Sequence, residues 1–398
     1  MRISTANGYT NAIDSLMARQ TSLAETQLQM TSGKRVNKAS DDPAAAARSE
    51  RAQAAQARTV ATQRAVDASS NAMTLTEGAL GDAGGLMQQA REALVSAGNA
   101  TYSDTERAGV ADTLSGLRQQ LLAVANRTDG AGNYLFGGQS STQAPFTDVP
   151  GGVQFQGSAG ASQSASGEAL PLSVDGQSSW MTARTGNGVF ATSATTSTGS
   201  AWIDAGKVTD PSALTGATYS VQFSVAAGAT TYSVFKNGVA TPQSNVAFTP
   251  GQAVQVDGMS AAISGNPANG DAFQLAPSTS NQSVFDALDK AIAALKTPGR
   301  SGAQIQQGNV ASLTAVDSVM GQLNSARSAV GATMNRVDAV TSRLSALKLS
   351  SQTEQSNAED VDMVQATSSF SNKQTGYDAA LKAYSMVQKL SLFNYVSP

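Results

Sequence analysis

At 398 residues the chain has room for two or three domains, and with neither cysteine nor histidine it can build no disulfide, thiolate or imidazole metal site and no histidine general base. A net charge of −3 supplies no basic field for nucleic acid or anionic lipid. Charged residues at 14% and aromatics at 5%, against plentiful Gly, Ala, Ser and Thr, suit helices packed through small side chains plus a polar β region. No apolar run approaches the ~20 residues of a membrane span, and the opening MRISTANGYT lacks the apolar core of a cleavable signal peptide. These residues alone lead us to expect a cytoplasmic protein, or one exported without a cleaved signal.

The first element is an amphipathic helix. Tyr9, Leu16, Leu23 and Met30 recur every seventh residue, Ile13, Met17 and Leu28 lie alongside, and Asn11, Asp14, Arg19, Glu25 and Gln29 form the polar face. Gly33 can end it, and Asp42-Pro43 can start the next helix, with Asp as cap and Pro at the first helical position. Between them, Lys34, Arg35 and Lys38 facing Asp41 and Asp42 read as solvated turn residues. Ala45, Ala52, Thr59, Val66, Met73, Leu80, Met87 and Leu94 then hold one register, which predicts a single long helix to Gly98-Asn99. Gly78, Gly81, Gly84 and Gly85 weaken it by up to about 1 kcal/mol each. Ser103-Asp-Thr-Glu106 has capping-box spacing and opens a further helix with Val110, Leu114, Leu117, Leu121 and Val124 inward.

From 139 to 280 the pattern changes to short alternating runs, which predicts an inserted antiparallel β domain. Val153 and Phe155 alternate, as do Tyr219, Val221, Phe223 and Val225. Tyr232 and Val234 follow a hairpin at Ala227-Gly228, Asn237-Gly238 is a two-residue turn, and Val254/Val256 and Phe273/Leu275 add strands. Ser158–Gly167 reads as a mobile loop. Asp257 and Asp271 lie near glycine turns without the spacing of a calcium loop. An enzyme or glycan-binding domain here would need a carboxylate pair, and Asp175, Asp204, Asp257 and Asp271 show no telling spacing. Ser283 then caps a short helix with Phe285, Leu288, Ile292 and Leu295 inward, which Pro298-Gly299 stops.

The last third carries the longest seam: Val316, Leu323, Val330, Val337 and Leu344, flanked by Leu313, Met320, Met334, Val340 and Leu347. Ser350–Asp360 offers it almost nothing apolar and reads as a polar joint. A second seam follows in a new phase, Met363, Phe370, Tyr377 and Tyr384, with Leu381 and Val387 beside it. The fold class expected is α+β: a multidomain rod of long antiparallel helices formed by both chain ends, with the β domain inserted. Its divisions are 1–35 with 358–398 as terminal amphipathic helices, 36–138 with 281–357 as a helical bundle whose core is Val316, Leu323, Val330, Val337 and Leu344, and 139–280 outside. Burial of so few large side chains does not offset the ordering of the two ends. The ends are therefore expected to stay loose in a lone molecule and to order when other subunits cover them.

The stretch from Met30 to Arg48, MTSGKRVNKASDDPAAAAR, resembles the signature after the first helix of the flagellin family. Its S-G-K-R-V and S-D-D-P-A-A-A forms are similar to the hook-associated branch, as are the opening MRIST, the exit Asn133–Gly138, the segment Ile263–Phe273 and the closing Leu390–Val396. Flagellins proper tend to end in leucines and arginine instead. The resemblance covers 1–138 and 280–398 well and the middle weakly. It implies a structural, non-catalytic subunit without cofactor or metal, located outside the cell at the joint between hook and filament; the alternative is a flagellin that builds the filament itself. It also implies a subunit interface on Tyr9, Ile13, Leu16, Leu23, Met30, Met363, Phe370, Tyr377, Leu381 and Tyr384. The implied partners are further copies in a ring, neighbouring hook-associated and flagellin subunits, the export apparatus, and a cytoplasmic export chaperone gripping Phe370, Tyr377, Leu381 and Tyr384.

Overall fold

The computed structural model describes residues 5–140, 142–164 and 169–389. The motif residues 1–4 and 390–398, part of the serine-rich loop at 165–168, and the side chain of Val387 lie outside the described residues. The fold is α+β and falls into two compact units, 1–64 with 340–398 and 65–339. Helix α2 (Pro43–Ala97) and helix α5 (Gly302–Glu359) each contribute to both.

The first unit contains α1 (Thr5–Ser32), the start of α2, the end of α5 and α6 (Met363–Lys389). Helix α1 stops because Gly33 turns to φ +70°, the left-handed conformation that closes a helix cheaply only at glycine. Asp42 starts α2 by accepting the Ala45 N–H at 2.9 Å, with Pro43 at the first helical position. The polar run from Ser350 does not interrupt α5, which continues to Glu359. Ser, Thr, Gln and Glu carry a solvated helix without an apolar seam; the chain breaks only at 360–362, where Asp362 caps α6 through the Val364 and Gln365 N–H groups at 2.9 and 3.1 Å.

The second unit holds two cores. In the first, α2, α3 (Asp104–Ala125), α4 (Val284–Lys296) and α5 pack Leu80, Met87, Leu94, Leu114, Leu121, Leu288, Val316, Leu323 and Val330 together. The glycines of α2 do not break it. Arg91–Asp317 and Arg327–Glu77, both at 2.6 Å, run along the antiparallel α2–α5 seam. The capping box of α3 forms in both directions, with Glu106 accepting from the Ser103 N–H at 2.6 Å. The hairpin of β1 (Phe146–Val149) and β2 (Gly152–Phe155) belongs to this helical core: Phe146, Phe136, Trp180 and Phe285 meet with ring centroids 5.3–6.1 Å apart. Arg118 of α3 fixes the hairpin by binding Asp148 at 2.6 and 2.9 Å while also reaching Asp289 of α4 at 3.0 Å.

The second core is all β. One sheet runs β3 (Phe190–Thr196), β12 (Ala272–Pro277), β6 (Tyr219–Ala226), β7 (Ala229–Lys236), β8 (Val239–Ala240), with β9 (Val246–Ala247) also on β7. The other joins β10 (Ala253–Val256), β11 (Met259–Ser264) and β4 (Trp202–Ile203), with β5 (Lys207–Val208) on β11. All pairings are antiparallel, and positive φ at Asn237 and Gly238 makes the tight turn between β7 and β8. Phe190, Val221, Phe223, Ile263, Phe273 and Leu275 fill the interior. The expected boundary at 139 thus falls inside the helical core, whose last member before the β core is Ala183. Alternation at Val153 and Phe155 identifies a strand but not which core it faces.

Candidate assembly interface

Helices α1 and α6 lie along one another in antiparallel sense. At the far end the rings of Tyr9 and Tyr384 stand 5.5 Å apart, and Gln388 Nε2 donates to both hydroxyls at 3.2 and 3.3 Å. The hydrogen bond from Tyr384 holds the Tyr9 phenol below its usual range and that of Tyr384 above it. Nearer the joint, Lys373 Nζ donates to Thr26 Oγ1 at 2.7 Å across the pair. Thr26 and Ala366 are buried, while Ile13, Leu16, Leu23, Met30, Phe370, Tyr377 and Tyr384 are half-buried.

What the pair leaves uncovered is the more informative part. Tyr9 is 47% exposed, Met17 53%, Leu28 50%, Met363 48%, Leu381 41%, Met386 60% and Val364 83%. Ile13, Met17, Ala24 and Leu28 are spaced four, seven and four residues apart and share one strip of α1 beside the seam. Each helix thus offers one apolar face to its partner and a second to solvent. A polar cleft of about 400 Å³, lined by Glu25, Leu28, Gln29, Asn37, Lys38, Ser40 and Asp41, adjoins the exposed Leu28.

The pair is anchored where the chain enters α2 and leaves α5. Lys34 bridges to Asp360, the Arg35 N–H donates to the Glu359 carbonyl at 2.6 Å, and the Val361 N–H donates to the Gly33 carbonyl at 3.0 Å. Arg35 reaches the Ala358 carbonyl at 2.9 Å and Asp42 at 3.0 Å. The buried Glu359 carboxylate accepts from Ser49 Oγ at 2.9 Å, Gln355 Nε2 at 2.7 Å and Lys34 Nζ at 3.2 Å. Burial pushes this carboxyl up, but those three hydrogen bonds outweigh it and leave it below the usual carboxylate range. Lys34 and Arg35 keep solvent-exposed side chains, as expected of turn residues, and in addition hold the two ends of the chain together. Sequence reasoning also missed Ser49 and Glu359, which no local pattern in their segments singles out. Asp41 does serve the turn, accepting the Asn37 and Lys38 N–H groups at 3.1 and 2.9 Å.

The remaining candidates are placed as follows. Val316, Leu323, Val330, Val337 and Leu344 are all buried. Asp175 accepts the Gln177 N–H at 2.9 Å, and Asp204 the Gly206 and Ala262 N–H groups at 3.0 Å. Asp257 pairs with Lys236 at 2.7 Å and takes the Tyr219 hydroxyl. Asp271, fully buried, gathers the Thr198, Gly199 and Ala268 N–H groups at 2.7–3.1 Å. Each carboxylate is occupied by structural hydrogen bonds, those of Asp204, Asp257 and Asp271 reaching across the β core. Among the described residues no three His, Cys, Asp or Glu side chains are grouped to hold a metal ion, and no helix is long and apolar enough to cross a membrane.

Comparison with known proteins agrees with this arrangement at both ends of the chain. Residues 3–141 match the bacterial flagellin N-terminal helical region and residues 313–396 the C-terminal helical region. Flagellar hook-associated protein 3 of Escherichia coli (strain K12) is 28% identical over 405 residues, spanning 99% of both chains. The crystal structure of FlgL from Xanthomonas campestris is 30% identical with a TM-score of 0.67, covering 76% of this chain and 99% of that one. Flagellin of Bacillus subtilis (strain 168) is 28% identical over 166 residues, 41% of this chain and 54% of its own.

Proposed function

This chain belongs to the flagellin family, in the branch of hook-associated protein 3, and from that premise we propose that it is a structural subunit of the bacterial flagellum forming the junction between hook and filament. The likeness to hook-associated protein 3 runs from end to end, whereas the likeness to flagellin stops at less than half of the chain, which favours the junction over the filament itself. The observation that carries the mechanism is the second apolar face of the α1–α6 pair, left open to solvent. Burial of such a face is favourable in proportion to its apolar area, so adjacent copies in a ring would each complete their neighbours.

In this reading Tyr9, Ile13, Leu16, Leu23, Met30, Met363, Phe370, Tyr377, Leu381 and Tyr384 supply the inner subunit interface, residues 36–138 with 281–357, joined by the segment up to Ala183, the bundle, and the β core that follows the outward-facing part. Assembly, not catalysis, is the activity. Export through a narrow channel demands that the ends unfold readily, and their half-covered seam supports that. In the cytoplasm a chaperone would cover Phe370, Tyr377, Leu381 and Tyr384 until export. The neighbours on either side would be another hook-associated protein and flagellin.

The test is removal of residues 361–398. The truncated protein should remain folded and soluble, fail to add to the ends of isolated hooks and fail to bind the export chaperone; addition at the normal level would refute the reading. Purified full-length subunit should form short polymers or none, and long filaments grown from it alone would favour the filament subunit. Backbone NMR of the monomer reports whether α1 and α6 gain order on assembly.

A further inference from the structure

The cysteine-free chain carries its only oxidisable sulfur in 11 methionines. Their exposure is sharply divided. Met73 and Met87 are sealed in the helical core at 1% and 0%, and Met259 in the β core at 6%. Met30, Met181, Met320 and Met334 are half-buried. The described methionines that stand open, Met17, Met363 and Met386 at 48–60%, all lie on the α1–α6 pair. Met17 shares one strip of α1 with the half-buried Ile13 and the exposed Leu28, and Met363 lies five helical turns from the exposed Leu381 on the same side of α6.

We infer that Met17, Met363 and Met386 are peroxide-sensitive modification sites whose oxidation blocks assembly of the free subunit. The inference rests on the reading that this pair is the assembly surface. In the step, a thioether sulfur lone pair attacks one oxygen of hydrogen peroxide, the O–O bond breaks, and an S–O bond forms. Sulfur is oxidised by two electrons and the peroxide is reduced to water. The product is a polar, chiral sulfoxide where the exposed apolar strip would otherwise present a thioether to its neighbour. Covering it would bury a polar oxygen on the apolar strip that Met17 forms with Ile13, Ala24 and Leu28, at a desolvation cost the thioether does not carry. Copies already in the tube would be shielded, so the sensitivity belongs to the interval before incorporation.

Full-length subunit is treated with graded hydrogen peroxide, mapped by peptide mass spectrometry, and offered to isolated hooks. Met17, Met363 and Met386 should reach half-oxidation before Met73 and Met87, and the oxidised subunit should add to hooks roughly tenfold less well, a 1.4 kcal/mol loss. Treatment with methionine sulfoxide reductases should restore addition, and a Met17→Leu/Met363→Leu/Met386→Leu variant should add equally with and without peroxide. Oxidation of Met73 and Met87 at the same rate would overturn the inference, as would undiminished addition of subunit oxidised at all three sites. If that second result came while the 361–398 truncation still failed to add, the assembly surface would stand and only its redox sensitivity would fall.

Discussion

The α1–α6 pair and the helical core of residues 65–339 are written in the same seven-residue pattern, yet they end in opposite states. Val316, Leu323 and Val330 finish at 0–2% exposure because α2, α3 and α4 surround α5 on its apolar side. Tyr9, Met363 and Leu381 finish at 41–48% because, among the described residues, each terminal helix packs chiefly on the other. Periodicity reports that a helix will form and which stripe it wants covered. Whether the cover comes from the same molecule depends on how many helices converge there, a property of topology rather than of pattern.

The contrast can be tested by inserting a charge on each side. Val330→Asp should cost roughly 3–5 kcal/mol, since it strands a carboxylate in the core, and should lower the thermal unfolding of the monomer measured by circular dichroism. Tyr377→Asp should leave that transition in place and abolish addition to hooks; equal effects on the monomer would erase the distinction between the regions. Next in size is Asp271→Asn in the β core, expected to cost about 2–3 kcal/mol through weakened hydrogen bonds to Thr198, Gly199 and Ala268. Burial raises the Asp271 carboxyl, but those hydrogen bonds override it and hold it below its usual range. Its contribution is therefore complete above the unfolded pKa of about 4 and disappears as pH falls through the lower folded value. Hydrogen exchange at the Thr198 and Gly199 amides should show this acid limb in the parent and not in Asp271→Asn.

At the joint of the terminal pair the same sign applies on a smaller scale. Glu359→Gln should cost about 1 kcal/mol, because it keeps the shape but loses the charge that faces the half-exposed Lys34. Exchange at the Arg35 and Val361 amides should accelerate about fivefold at neutral pH and converge with the parent in acid. The smallest effect is expected from Leu28→Ala, within about 0.5 kcal/mol in monomer unfolding. Leu323→Ala, the same change in the core, should cost about 2–5 kcal/mol.

Much of the helical framework was legible. Gly33, Asp42-Pro43, Ser103–Glu106 and Ser283 announce their helix ends through interactions that span three or four residues, the range over which sequence dictates structure directly. The five-residue seam of α5 was equally plain. Two features were not. Glu359 meets Lys34 and Ser49 across more than three hundred residues of chain, and nothing in SSQTEQSNAED distinguishes the one acid that is buried from its solvated neighbours. The hairpin at 146–155 reads as part of the β domain, and only the meeting of Phe146 with Trp180 and Phe285 assigns it to the helices.

The short ladder between Gly33–Val36 and Glu359–Val361 has a mechanical consequence. Its partners run antiparallel, and both terminal helices depart from the Gly33–Val361 end. A force that spreads the helices apart loads the rungs singly, beginning with Val361 N–H on Gly33 C=O, so the ladder opens like a zip at low force. A force that draws both helices along their common axis bypasses the rungs and is borne by the covalent backbone of α2 and α5. Tension along the two helix axes therefore meets a stiff element, while sideways peeling of one end meets a compliant one.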